Sequence, residues 1–167
     1  HPEKLNKLVL ITPMGFQQEV PWIVNYVTVP GMDKFNRYVQ PATVATSILE
    51  HFYGDPQKIT PTNRQRFMNL AQSEGAHHSN VIQLSMVRTL MEQGMLLDLG
   101  DISIPTLVMW GESDTWGDFS HAERWKKELG NATLVTYPAY GHMLMEEGSD
   151  ITSTDVMAFI NDKPIPS

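Results

Sequence analysis

Two residues in this chain have the types and spacing for proton-transfer chemistry. Asp114 closes Trp110-Gly111-Glu112-Ser113-Asp114 and His142 closes Tyr140-Gly141-His142, each directly after a run with the pattern of a buried strand. A carboxylate set beside an imidazole holds it in one tautomer and stabilises the imidazolium that forms when it accepts a proton. Asp114 and His142 therefore read as the acid and base of a hydrolytic triad. Its third member is not evident, because no Gly-x-Ser-x-Gly turn occurs anywhere in the chain. The separation of 28 residues (142 minus 114) leaves room for one helix and one return strand. The side chains would then emerge from neighbouring strands about 4.8 Å apart, within reach of each other through short loops.

The elements needed to position this pair are legible around it. Leu8-Val9-Leu10-Ile11 and Thr106-Leu107-Val108-Met109-Trp110 are continuous apolar runs, the signature of strands covered on both faces in a parallel sheet. Pro105 opens the second run, where its missing N–H is tolerated. Ser120 followed by Glu123 resembles a capping box, and Ala122, Trp125 and Leu129 recur at helical spacing before Gly130. Thr133 to Tyr137 predicts a third strand, and Val156, Phe159 and Ile160 an apolar stripe on a closing helix. The tail thus reads β-α-β-α, which favours parallel strands and right-handed crossovers. In such sheets, ligands and catalytic groups gather beyond the carboxyl ends of the strands.

Between the first two strands, from Phe16 to Gly100, the pattern turns helical. Ala45, Ile48, Leu49 and Phe52 make one face ending at Gly54, and Thr60-Pro61 reads as an N-cap and first helical residue leading to Phe67, Leu70 and Ala71. Leu84, Val87 and Met91 mark a third helix. The predicted organisation is α/β: residues 1–15 and 101–167 form a partial core, and 16–100 a helical cap inserted between its first and second strands.

Composition narrows the function classes. In 167 residues, 41% apolar and 19% charged side chains suit one globular domain. Twelve Lys and Arg stand against 19 Asp and Glu, a net charge of −7 with no basic run to neutralise phosphates, so nucleic acid is excluded as an expected partner. Without cysteine there is no disulfide framework, thiolate nucleophile or Cys-ligated zinc. No apolar stretch approaches the roughly 20 residues of a membrane span. The compartment stays open, with the cytoplasm slightly favoured.

Other residues invite chemical readings. Asp118 is the substitute for Asp114 as triad acid, although its position before a helix suits an N-terminal helix charge better. His77-His78 suggest a metal, but adjacent side chains on a helix or strand diverge, and a solvated cap segment is the better reading. Met143, Leu144 and Met145 suit a pocket lining and core filling equally. Trp116 could border the site, as could Trp22, Tyr26 and Tyr38, yet aromatic residues in a helical lid are more often simple core.

Together these stretches resemble the C-terminal portion of the α/β-hydrolase fold superfamily. The matching segments are His1-Pro2-Glu3-Lys4-Leu5 running into Leu8-Val9-Leu10-Ile11, then Ile104-Pro105-Thr106-Leu107-Val108-Met109-Trp110-Gly111-Glu112-Ser113-Asp114, and Tyr137-Pro138-Ala139-Tyr140-Gly141-His142 with Met145-Glu146-Glu147. The resemblance covers essentially the whole chain. It implies a capped, three-strand C-terminal half of the parallel sheet, with Asp114 as triad acid and His142 as triad base. The nucleophile and both oxyanion donors would lie upstream. The implied activity is hydrolysis of a small ester or related acyl substrate, with no metal or organic cofactor and with this chain inactive alone. An aspartate nucleophile would instead imply dehalogenase or epoxide-hydrolase chemistry, though Tyr26, Tyr38 and Tyr53 do not match that activity's cap-tyrosine motif. A third reading is a non-catalytic half that associates, through its exposed first strand, with a separate N-terminal piece or with another copy.

Overall fold

The computed structural model describes residues 4–29, 31, 42–95 and 98–167. They fall into two compact units, one of His1–Pro13, Tyr53–Asp55 and Leu96–Ser167, the other of Met14–Phe52 and Pro56–Met95.

The first unit is built on a parallel sheet of β1 (Leu8–Ile11), β2 (Thr106–Gly111) and β3 (Ala132–Tyr137), in that spatial order. Leu8 pairs with Thr106 and Gly111 with Tyr137, so the carboxyl ends of β2 and β3 finish level. Every residue of β2 is buried, as a continuous apolar run in a central strand should be. The expectation that β1 is covered on both faces needs correction: all four of its residues are half-buried, because among the described residues β1 has β2 as its one strand neighbour in the sheet. Leu107, Met109, Val135, Tyr137 and Leu144 form the core on one face, with Val156 and Phe159 packed against it. Removing a side chain such as Leu107 from this cluster costs about 2–5 kcal/mol.

Helix α5 (His121–Leu129) follows β2 and buries Ala122, Trp125 and Leu129. Its predicted capping box does not form: Ser120 takes helical backbone angles and its side chain makes no cap bond. Asp118 fills that part instead, its Oδ1 accepting from the Ser120 N–H at 2.9 Å and its carbonyl from the His121 N–H. A longer, charged acceptor two residues upstream therefore meets the donors at the start of the helix. After β3 come the single turn α6 (Leu144–Glu147) and α7 (Ser149–Ile160). Ile160, expected on the apolar stripe, is exposed, and the most buried positions of α7 are Thr152, Asp155 and Ala158. Lys7, entering β1, donates to the Phe159 and Ile160 carbonyls and pairs with Asp162, so a cation closes the negative end of α7.

In the second unit, the described helices are α1 (Trp22–Thr28), α2 (Ala42–Phe52), α3 (Pro61–Ala71) and α4 (Ala76–Gln93). Helix α1 buries Ile23, Val24 and Val27 and α2 buries Ala45, Ile48 and Leu49, while Met91 of α4 is fully enclosed. Thr60 caps α3 as its sequence predicts, accepting from the Asn63 N–H at 3.1 Å with Pro61 opening the helix. Two expectations fail. Leu70 is 65% exposed, and Trp22 and Tyr26 stand at the surface of α1 rather than in its core. Trp22 turns its indole N–H to His51 Nε2 at 3.1 Å. Tyr38 and residues 1–3 of the first matching segment lie outside the described residues, as does the His77 side chain; His78 is exposed on α4. Among the described residues no helix is long and apolar enough to cross a membrane.

Candidate active site

The loops leaving β2 and β3 are stitched to each other before either reaches its functional side chain. Glu112 N–H donates to the Tyr137 carbonyl at 3.0 Å, Ser113 N–H to the Tyr140 carbonyl at 3.0 Å, and Ser113 Oγ to the Pro138 carbonyl at 3.1 Å. Close approach of the loops requires Gly111, where an added Cβ would run into the carbonyl oxygens of Tyr140 and Gly141. Turning on the Asp114 N–H to Gly111 carbonyl bond, the first loop delivers Asp114 to His142.

Asp114 Oδ2 lies 2.9 Å from His142 Nδ1. The other carboxylate oxygen accepts from the backbone N–H groups of Trp116 at 2.7 Å and Gly117 at 2.9 Å. The Asp114 side chain is 0% exposed and that of His142 18%. Three donors on a buried carboxylate compensate its desolvation and fix its plane. Facing an acceptor-only oxygen, Nδ1 carries the ring proton, and Nε2 is the nitrogen that receives one. Trp116 is buried with its ring centroid 6.4 Å from that of His142, so it walls the imidazole. On the backbone side, Thr12 Oγ1 donates to the His142 carbonyl at 3.3 Å. Thr12 sits at φ 44°, a strained setting for a β-branched residue that costs on the order of 1–3 kcal/mol.

Asp118, the substitute acid, is engaged with the start of α5, and its carboxyl is held below the usual range by hydrogen bonds from the Ser120 side chain and backbone. His121 beside it is lowered by burial, against the raising effect of Asp118. In the core below, Tyr137 donates to the fully buried Asp155 Oδ2 at 2.6 Å, and burial first, then that bond, pushes the phenol's pKa up. Of the three residues after His142, Leu144 is core and Met145 exposed, which splits the pocket and packing readings of that trio. Among the described residues no group of three or more His, Asp or Glu is placed to hold a metal ion.

The sequence by itself gives Gly54, Glu147 and Thr12 no part at the site. Glu147 accepts the N–H groups of both Gly54 and Gly141, at 2.9 and 2.8 Å. The segment after His142 stands out as a motif and Gly54 marks the end of a helical face, but no local signal gives Gly54 or Thr12 a part at the site.

No family model matches the chain. Among curated proteins it is 26% identical over 163 residues to the 2-hydroxy-6-oxo-6-phenylhexa-2,4-dienoate hydrolase of Burkholderia cepacia, covering 96% of this chain and 56% of that protein. It is 35% identical over 75 residues to the non-heme chloroperoxidase of Burkholderia pyrrocinia, covering 44% of this chain and 27% of that protein. The chain thus spans about half the length, or less, of the curated relatives it matches. Among solved structures, a meta-cleavage product hydrolase from Pseudomonas fluorescens superposes with a TM-score of 0.77 at 18% identity, covering 97% of this chain and 58% of that one. An esterase from Exiguobacterium antarcticum superposes with a TM-score of 0.73 at 18% identity, covering 93% and 57%. With its parallel β1-β2-β3 sheet and these neighbours, the chain has the fold of the α/β-hydrolase superfamily, in its C-terminal portion.

Proposed function

We propose that the protein to which this chain belongs hydrolyses a small ester or related acyl substrate with a nucleophile–His142–Asp114 triad. The nucleophile is a serine supplied by a part of the protein upstream of these residues. His142 Nε2 takes the hydroxyl proton as the oxygen attacks the carbonyl, then returns it to the leaving group. Asp114 keeps Nδ1 protonated and stabilises the imidazolium between those steps. The helical part of residues 16–100, apart from Tyr53–Asp55 and the residues after Met95, acts as a lid that admits substrate and limits water. The 2.9 Å contact between Asp114 Oδ2 and His142 Nδ1 carries the reading. The names of the dienoate hydrolase and the esterase among its neighbours support acyl chemistry on a small molecule.

The test is made on the full-length protein. A p-nitrophenyl butyrate assay should show turnover that His142→Ala abolishes, and an alkyl phosphonate should label one upstream serine. Label transferred from isotopic water to an upstream aspartate during haloalkane or epoxide turnover would replace serine with the aspartate mechanism. Unchanged turnover in His142→Ala would refute the triad altogether.

A further inference from the structure

The peptide joining Tyr140 to Gly141, immediately before His142, is held in a vice. Below it lies Gly111, with no room for a side chain. Against it from another direction lies Gly54, where an added Cβ would come within 2.7 Å of both Gly141 N and Tyr140 C. Gly54 comes from the short stretch Tyr53–Asp55, which belongs to the first unit although its neighbours in sequence belong to the second. Backbone packed so closely on backbone needs its donors satisfied, and one side chain does this for both. Glu147 Oε1 accepts from the Gly141 N–H at 2.8 Å and Glu147 Oε2 from the Gly54 N–H at 2.9 Å. Next to it, Glu146 Oε2 accepts from the buried Tyr53 hydroxyl at 2.7 Å. The single turn of α6 makes this reach possible: Glu146 and Glu147 both donate their N–H groups to the Met143 carbonyl, folding the chain back so that Glu147 meets the residue before His142.

We infer that Glu147 is a positioning residue for His142: its carboxylate locks the Gly141 peptide onto Gly54, and this fixes the direction in which the imidazole leaves the backbone. The inference rests on the proposed role of His142. The requirement is chemical as well as steric. Two N–H donors converge on two oxygens of one side chain, and of the amino-acid side chains at that length only a carboxylate offers an acceptor to each. Glutamine has the same shape but sets its NH₂ against one of the two N–H groups. Glu147 meets the peptide that precedes His142, so its effect is on geometry. A misplacement of about 1 Å in a reacting group costs up to about 100-fold in rate.

The experiment uses the full-length protein with Glu147→Gln and, independently, Gly54→Ala, which pushes on the same peptide and leaves the carboxylate intact. In both, kcat for p-nitrophenyl butyrate should fall about 10- to 100-fold with KM changed less than threefold. The low-field NMR resonance of the His142 Nδ1 proton should shift or broaden, although melting remains cooperative. In the wild type, the Gly54 and Gly141 amides should be protected from hydrogen exchange. Wild-type kcat with an unmoved resonance in Glu147→Gln overturns the inference. So does exchange of those two wild-type amides at the rate of exposed ones, a measurement that stands even if a variant fails to fold. Retained turnover in His142→Ala would instead sink the triad, leaving the resonance and exchange to decide the part played by Glu147.

Discussion

Asp114→Asn changes one atom and should nearly silence the protein. Asp114 Oδ1 holds two backbone N–H groups at 2.7 and 2.9 Å, and Oδ2 faces His142 Nδ1 at 2.9 Å. An asparagine can keep the two backbone bonds only by leaving its oxygen in the Oδ1 place, which points its NH₂ at Nδ1. The opposite rotamer gives up both backbone bonds at about 1 kcal/mol each or more, so the first orientation wins by roughly 30-fold. Two donors then confront each other unless the imidazole moves its proton to Nε2. That tautomer can accept from the introduced amide but can no longer take a proton from a nucleophile. In a triad of this geometry the same replacement lowers kcat by about 10⁴-fold, or about 5.4 kcal/mol of barrier. Steady-state hydrolysis of p-nitrophenyl butyrate by the full-length variant measures the loss, and ring ¹⁵N shifts of His142 report the tautomer. Asp118→Asn, which alters only the start of α5, is the control. Turnover by Asp114→Asn within tenfold of wild type, or an unchanged Nδ1–H tautomer, would refute the reasoning.

Two further outcomes follow from the core and from α5. Tyr137→Phe strips the hydroxyl from a fully buried Asp155 whose Oδ1 has no hydrogen-bond partner among the described residues, and should cost about 1.5–3 kcal/mol in urea unfolding. Adding Asp155→Leu should recover much of that loss, and strict additivity in the double-mutant cycle would contradict the account. Acid should loosen the first turn of α5 through two groups whose pKa values are both lowered on folding. His121 folds preferentially neutral, so its contribution is complete above 6.5, the ordinary value, and fades as pH falls through the lower folded one. Asp118 folds preferentially charged, and its contribution is complete above 3.8 and lost below that through its own lowered value. Protection factors of amides 120–122, each exchange rate taken relative to the intrinsic rate at the same pH and followed from pH 8 to 4, should fall below 6.5, and less so in His121→Gln.

The pair at the candidate site was readable because each member follows an apolar strand run at the end of a loop. Position in a parallel sheet is enough to bring two such ends together, and register completes the task by pairing Gly111 with Tyr137. The choice between Asp114 and Asp118 was harder, since both are acidic residues between a strand and a helix. The turn separates them by contact, aiming one carboxylate at Nδ1 and the other at the Ser120 N–H. The same competition explains the failed capping box: Ser120 has the right spacing from Glu123, but Asp118 already supplies the acceptor. Leu70 and Ile160 misled for a related reason. Helical periodicity marks an apolar stripe, whereas the neighbours present decide which part of the stripe is covered.

Strand order along the chain, helix starts such as Thr60-Pro61, and the placement of Asp114 and His142 on loops are local properties. They depend on side-chain period, backbone preference and a few covalent bonds, all of which act over one or two turns of chain. Gly54 against Gly141, Glu147 between them, Thr12 under the His142 carbonyl and Lys7 at the end of α7 are of another kind. Each joins backbone groups from separate elements, several of them tens of residues apart. The free energy of such a contact depends on approach distances and unsatisfied donors that exist only once the elements have packed, so no local pattern in the chain can encode it.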